Sequence, residues 1–536
     1  MSKAEGTKSV KAEGKTRSMT VATLLVMLGL VFSKGSGFLR DIFVGIKFSD
    51  PVYRDSFTLA FTIPDLVYNL LIGGSIQSAL TPSLSARIAA GEEKRGVRAV
   101  SIFISVFAVL LLVVCVFGVI FSQQIYQLYD SGEHSSETTY LASMASKWLF
   151  PQIIFMMLAA LCIGILNAYK RFASTAFGPT VYNVFVLLSI IIFAGNSLSE
   201  LMRTTCGIMG AAVIYFLFQY IIGFDKLKQF KFIWAPKDKD FHALVKRALP
   251  ILISASVVQI NMVILNYFAM KLSDSGNVYA LRNASTTWQL PYGIFAVAIG
   301  NVMLPSLAEL YGQKKYKEAS RLLSSRLKSA LFLTIPSAGF MVLMNTDVIK
   351  AIFQWSPAYT DIDARKAGTL LTGYSIAIVT HTVVFIMNQA FYAIGKTKVP
   401  LIAGSIGLLS NPLFCTIFMP YLGALSLTLS YALTSILQMT VLCVVYCRDK
   451  ELAPRGIVEF LYKAFFSVFF MCLVLFAMNR LIPAVDGKIY ELLVLALKGM
   501  VAVLVYFVCA FLFKMPEAYS WLSKLIKKLP GADKSK

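Results

Sequence analysis

Histidine occurs only three times in this chain of 536 residues, at His134, His242 and His381, and the three are scattered. The chain has no HExxH, GxSxG or GxxxxGK[ST] stretch. Zinc-protease, serine-hydrolase and P-loop nucleotide chemistry therefore lack their defining residues. Cysteine is present but never as a CxxC pair or beside histidine. Cys115, Cys162, Cys206, Cys415, Cys443, Cys447, Cys472 and Cys509 all fall in or at the ends of apolar runs, where the thiol serves as a small apolar filler. These absences leave no expected metal or other cofactor and argue against an enzyme. Charge is scarce too. Asp, Glu, Lys and Arg make up 15% of the residues, against about a quarter in soluble domains. A cleavable signal is not expected, because residues 1–18 form a polar basic tail without a signal peptide's apolar core. The first membrane helix would then act as an uncleaved targeting signal.

What fills the chain is apolar sequence. Hydrophobic residues amount to 57% and mean hydropathy is +0.70, a polytopic membrane composition. The formal net charge of +22 sits in short segments between apolar spans. It reads as a topology signal and a match to anionic headgroups rather than to nucleic acid.

A spanning helix needs about 20 mostly apolar residues. Fourteen windows qualify, near 19–47, 57–83, 99–121, 142–167, 177–195, 206–224, 248–270, 278–305, 322–344, 368–393, 399–419, 422–446, 457–479 and 492–513. If the amino terminus is cytoplasmic, most of the 50 Lys and Arg fall in the tails and the loops on that side. The opposite loops hold Arg54, Arg203, Lys271, Lys350, Arg365, Lys366, Arg480 and Lys488. A wrong helix count would swap this pattern midway, and it never swaps. The expected fold is an all-α polytopic membrane protein with 14 transmembrane helices and both termini cytoplasmic.

The basic segment 225–247 divides the core into two sets of six helices. SALTPSLSARIAAGEEKR around Pro82 resembles NVMLPSLAELYGQKKYKE around Pro305. ILNAYKRFAS around Ala168 resembles AFYAIGKTKV around Ala393, at almost the same distance along the chain. Near-equal offsets predict a duplicated unit, and an even helix number gives parallel copies. The expected organisation is a basic tail (1–18), an N-lobe (19–224), a cytoplasmic linker (225–247), a C-lobe (248–446), two extra helices (457–513) and a basic cytoplasmic tail (514–536).

The misplaced charges concentrate between Ser33 and Ser83. Lys34, Arg40, Asp41, Asp55 and Asp65 interrupt or border apolar spans, where an ionisable group costs about 2.5–3.5 kcal/mol and marks a pathway or cavity. Arg and Lys suit phosphate oxygens, Arg by bidentate bonding and Lys as a point charge. Lys34, Arg40, Asp41 and Asp55 are the candidate substrate-binding residues, with Arg282 as the second lobe's contribution. Asp41 or Asp55 would hold Arg40 when no substrate is present. The spacing of Lys34 and Arg40 puts them on one face only if the helix breaks, which Gly35 and Gly37 would permit. Pro64, Gly73, Gly74, Pro291 and Gly300 mark further bending points in the second and eighth windows. A structural ion pair at Arg40 and an interfacial Arg282 are the competing readings.

The run S-K-x-x-G-F-x-R-D from Ser33, then D-S-F-x-x-A-F-x-x-P-D-L from Asp55, then A-L-T-P-S-L from Ala79, resembles the MurJ (MviN-like) lipid II flippases. These belong to the multidrug/oligosaccharidyl-lipid/polysaccharide exporter superfamily. The resemblance implies a multi-pass flippase of the bacterial cytoplasmic membrane. Its substrate would be the undecaprenyl-diphosphate-linked peptidoglycan precursor, and membrane lipids and cell-wall synthesis enzymes would be its partners. It also implies that Lys34, Arg40, Asp41 and Asp55 contact substrate and that residues 457–513 shape a groove for the lipid tail. The chain departs from the family pattern at Lys34 (Arg is usual), Tyr68, Gly73 and Thr286. An exporter of another lipid-linked oligosaccharide, a drug/cation antiporter and a non-transporting scaffold are the rival expectations.

Overall fold

The computed structural model describes residue 29 and residues 32–71, 80–130, 133–171, 175–449, 451–482 and 487–521. Every regular element among them is helical. The helices are α1 (32–47), α2 (Pro51–Ala60), α3 (Thr62–Leu71), α4 (Thr81–Ala89), α5 (Glu93–Ile120), α6 (Ser122–Gln127), α7 (Glu133–Ala168), α8 (Gly178–Phe193), α9 (Leu198–Ile222), α10 (Phe224–Leu227) and α11 (Lys239–Met270). They continue as α12 (Asn277–Pro291), a π-helical turn (Tyr292–Val297), α13 (Ala298–Gly312), α14 (Tyr316–Leu343), α15 (Asn345–Phe353), α16 (Asp361–Ala393), α17 (Lys398–Leu422), α18 (Leu425–Cys447), α19 (Ile457–Leu481) and α20 (Lys488–Leu512). Helix occurs in all fourteen apolar windows. Among the described residues, ten helices are long and apolar enough to cross a membrane.

The helix ends follow from local chemistry. Asp50 caps α2, its carboxylate accepting from Val52 N at 2.8 Å, with Pro51 at the first helical position. Thr360 and Asp363 form a capping box at the start of α16. The second apolar window is broken at Phe61. Pro64 has no N–H to offer the carbonyl of Ala60 one turn earlier. The Tyr126 hydroxyl donates to that oxygen instead, at 2.6 Å, so the break is satisfied rather than left open.

The chain divides into two compact units, Met1–Val278 and Tyr279–Lys536. In the first, α7 packs against α2, α5 and α9; in the second, α16 packs against α13, α14, α15 and α18. These two helices occupy the corresponding fourth and tenth windows, and each is the most enclosed span of its unit. At the closest approach of α16 to α18, a Cβ on Gly373 would stand 2.7 Å from Leu429 N. Small residues at such contacts let helix backbones meet. Packing also gathers α11 into the first unit, where it lies on α3 and Asn266 Nδ2 donates to Thr62 Oγ1 at 2.8 Å.

The turns that follow the paired sequence segments are also alike. After α4 and α13 the chain turns through positive φ at Gly91 (77°) and Lys314 (59°). After α7 and α16 it does so at Lys170 (62°) and Gly395 (73°). Both pairs are separated by the same lengths of chain as the repeated sequence segments that precede them. Lys514 (52°), after α20, completes three lysines in this conformation.

Candidate functional site

Helix α1 runs unbroken through Gly35 and Gly37, and neither glycine is pressed by a neighbour. A Cβ on Gly35 would meet nothing within 4 Å, and one on Gly37 would reach Asn183 Nδ2 only at 3.9 Å. Continuous helix sends Lys34 and Arg40 to different faces. Lys34 is exposed and its side chain makes no hydrogen bond or ion pair among the described residues, whereas Arg40 is half-buried.

Arg40 is the centre of a polar cluster in the first unit. Its Nε donates to Asp41 Oδ1 at 2.9 Å, and Asp41 is 3% exposed. A second nitrogen of the same fork reaches Asn183 Oδ1 at 3.4 Å. Asn183, on α8, also donates to the Ser33 carbonyl at 3.2 Å. One amide thus ties α1 to α8 at both Ser33 and Arg40. Gln152 on α7 donates to the Tyr182 hydroxyl at 2.9 Å, and Asp65 is near enough to act electrostatically on both Arg40 and Tyr182. The cluster therefore presents a guanidinium partly neutralised by Asp41, and a ring of amide and phenol groups able to bond an oxyanion.

Asp55 does a different job. It is 3% exposed, and its Oδ2 accepts from the backbone N–H of Gly276 at 2.7 Å. Of the two aspartates that the sequence offers to Arg40, Asp41 is the one bonded to it. Arg54, assigned by sequence to an outer loop, is 1% exposed inside the first unit.

Of the bending points, Pro64 lies at the satisfied break of α2 and α3, and Pro291 ends α12 where the π-helical turn begins. Gly300 packs closely, since a Cβ there would meet the Phe385 ring at 2.6 Å. Gly73 and Gly74 lie outside the described residues. Arg282 is half-buried on α12, in the second unit.

Sequence reasoning passed over Asn183, Gln152 and Tyr182. The visible signal was an amide inside an apolar window. It also passed over an aromatic cluster in the second unit. There His381 stacks on Tyr431 with centroids 4.7 Å apart, and Trp288 stacks on Tyr374 at 5.6 Å.

Known proteins resemble this chain along most of its length. A model of the family described as "Lipid II flippase MurJ" matches residues 47–495, a span that contains Asp55 and begins after Arg40. A probable lipid II flippase MurJ of Buchnera aphidicola subsp. Acyrthosiphon pisum is 25% identical over 451 residues, covering 84% of this chain and 86% of the relative. The lipid II flippase MurJ of Burkholderia cenocepacia is 28% identical over 418 residues, covering 76% and 80%. Among solved structures, a lipid II flippase MurJ in an inward closed conformation aligns with a TM-score of 0.76 at 23% identity, covering 91% of this chain and 98% of that one. An inward-facing multidrug transporter of the MATE family aligns with a TM-score of 0.65 at 16% identity, covering 80% and 98%. The two structural matches share the fold.

Proposed function

This chain belongs to the lipid II flippase MurJ family, and from that premise we propose that it moves lipid II across the bacterial cytoplasmic membrane, from the inner to the outer leaflet. The observation that carries the reading is the family match over residues 47–495. Supporting it is a hydrogen-bonding cluster built round a guanidinium, where an apolar helix would otherwise hold no charge. A diphosphate is a strong acceptor, and a guanidinium is the side chain best shaped to bond it.

In the proposed mechanism Arg40 exchanges its bond to Asp41 for the diphosphate, while Asn183 keeps α1 registered on α8. Lys34, exposed on the same helix, contributes a point charge during approach, and Arg282 is the corresponding cation of the second unit. Asp55 anchors the Gly276 turn. The breaks at Pro64 and Pro291, with Gly35, Gly37, Gly73, Gly74 and Gly300, are proposed as the points at which helices bend during alternating access. Fourteen spanning helices with both termini cytoplasmic, in two parallel six-helix lobes plus a tail-binding pair at 457–513, complete the proposal. Membrane potential acting on the cations supplies about 2.3 kcal/mol per charge per 100 mV.

The test is complementation of a flippase-depleted bacterium, with outer-leaflet exposure of lipid II as readout. Wild type rescues, while Arg40→Ala accumulates in the membrane and does not. Rescue by Arg40→Ala would remove the proposed site. Failure of wild type, together with accumulation of another lipid-linked saccharide in its own deletion strain, would move the assignment to a different exporter substrate.

A further inference from the structure

The two units carry the same strap, but its cations are paired with carboxylates in the first and not in the second. In the first, the segment after α10 lies along α5. Lys231 N donates to Ser101 Oγ at 3.4 Å and Ile233 N to Ser105 Oγ at 2.9 Å. In the second, the segment after α18 lies along α14 in the same way. Arg455 N donates to Ser324 Oγ at 2.9 Å, and Ser320 Oγ donates to the Ala453 carbonyl at 2.7 Å. Ser101 is separated from Ser324, and Lys231 from Arg455, by nearly the offset of the sequence repeat, so the strap belongs to the repeat.

Around the first strap Arg87, Arg95 and Arg98 each have a carboxylate. Arg95 bonds Asp240 through two nitrogens at 2.7 and 3.0 Å, Arg87 reaches the same group at 2.9 Å, and Arg98 faces Asp238 at 3.6 Å. Asp238 is also the cap of α11. The second strap supplies no such pairing: its own Asp449 accepts from Glu451 N at 3.1 Å, and among the described residues neither carboxylate forms an ion pair with the cations here. Its helix cap is Gly456, and Glu459, the acidic residue in the first turn of α19, is bonded to Lys463 at 2.7 Å. Yet cations remain. Lys317, Arg321, Lys328 and Arg455 line a cavity of about 310 Å³ with Ser325 and Glu517. None of the four forms an ion pair among the described residues.

Four cations facing one carboxylate across a concave site repel one another and attract an anion. The cavity volume is that of about ten waters, ample for a phosphate and its immediate ester but small for a saccharide-peptide headgroup. It lies beside the charged amino-terminal turns of α14 and just beyond α20, where the apolar runs stop and the headgroups of a surrounding bilayer would stand. We propose that this cavity is a phosphate-binding site, filled by the phosphodiester of an anionic phospholipid or by free phosphate, and separate from the Arg40 cluster. The bound anion replaces the carboxylates that the first unit supplies from its own chain.

The experiment uses the full-length protein in detergent, with phosphatidylglycerol, phosphatidylcholine and inorganic phosphate as probes. Bound lipid is read by native mass spectrometry and stability by thermal unfolding. Wild type retains phosphatidylglycerol over phosphatidylcholine, and the double variant Arg321→Ala/Arg455→Ala loses that preference by about tenfold. A second variant tests the charge logic without removing a cation. Ser325→Asp adds a carboxylate to the cavity lining from an exposed helical position and leaves the bonds of the strap untouched. This variant also loses the preference. If inorganic phosphate stabilises wild type and displaces the lipid, and the double variant responds to neither, free phosphate is an occupant. If wild type does not discriminate between the two lipids and does not respond to phosphate, or if both variants behave as wild type, the proposal is wrong.

Discussion

Arg40 reaches two partners because its guanidinium is a planar fork, with Asp41 on one nitrogen and Asn183 on another. Lysine at this position keeps the charge and loses the second reach. Arg40→Lys is expected to lower the initial rate of lipid II exposure about tenfold, roughly one charge-assisted hydrogen bond, while Arg40→Ala abolishes rescue. Equal rates for lysine and arginine would show that charge alone is used. The Tyr126 hydroxyl makes a different kind of contribution. Tyr126→Phe leaves the buried Ala60 carbonyl without its donor, and a loss of about 1–3 kcal/mol is expected in reversible denaturation. At this scale the sequence revealed charges better than their partners. Arg40 and Asp41 stand out against apolar neighbours, and the ion pair follows. Asn183 is far from Arg40 along the chain, in a window whose other residues read as ordinary membrane helix, so its bridge is visible only once α8 lies on α1.

Among the elements, the apolar windows were legible because backbone inside a bilayer must bond within its own helix, which makes length and hydropathy sufficient signals. The interruptions were partly legible. The α-helix is interrupted at Phe61, before Pro64, and passes after Pro291 into a π-helical turn whose form depends on how the freed carbonyls are accommodated. Close helix contacts were not legible, because a glycine at a crossing looks like any other until its neighbour is in place. Gly373 is the clearest case, facing the Thr428 hydroxyl and the backbone between Thr428 and Leu429 on α18. Gly373→Ala forces α16 and α18 apart, with an expected cost of about 1–3 kcal/mol and a lower unfolding temperature in detergent. An unchanged unfolding temperature would mean that the two helices already have room to separate.

Across the whole molecule, the basic linker is more than a tether. Its aspartates hold three arginines, and the bonds from Arg95 and Arg87 push the Asp240 carboxyl down to about 2. An ordinary aspartate titrates near 3.9. A lowered folded value means that the stabilisation is fully present above about pH 4 and is lost as pH falls toward 2. Screening at this partly solvated site limits it to roughly 1–2 kcal/mol. The unfolding temperature of wild type is therefore expected to stay level down to about pH 5 and then fall. Asp240→Asn should begin lower at neutral pH and fall less steeply. Parallel curves for the two proteins would assign the acid sensitivity to other carboxylates. Sequence showed this segment as a run of lysines, but its docking depends on serines of α5 that carry no charge signal.

The three lysines with positive φ have a consequence for how the chain enters the membrane. Lys170, Lys314 and Lys514 each follow the last turn of a helix, where glycine would avoid a conformational cost of about 1–2 kcal/mol. All three stand on the side proposed as cytoplasmic, where positive charge sets orientation during insertion. At these positions the residue that ends the helix is also an address label for the translocation machinery. A glycine there would suit the finished fold better, yet leave the nascent chain with a weaker instruction about which way to face.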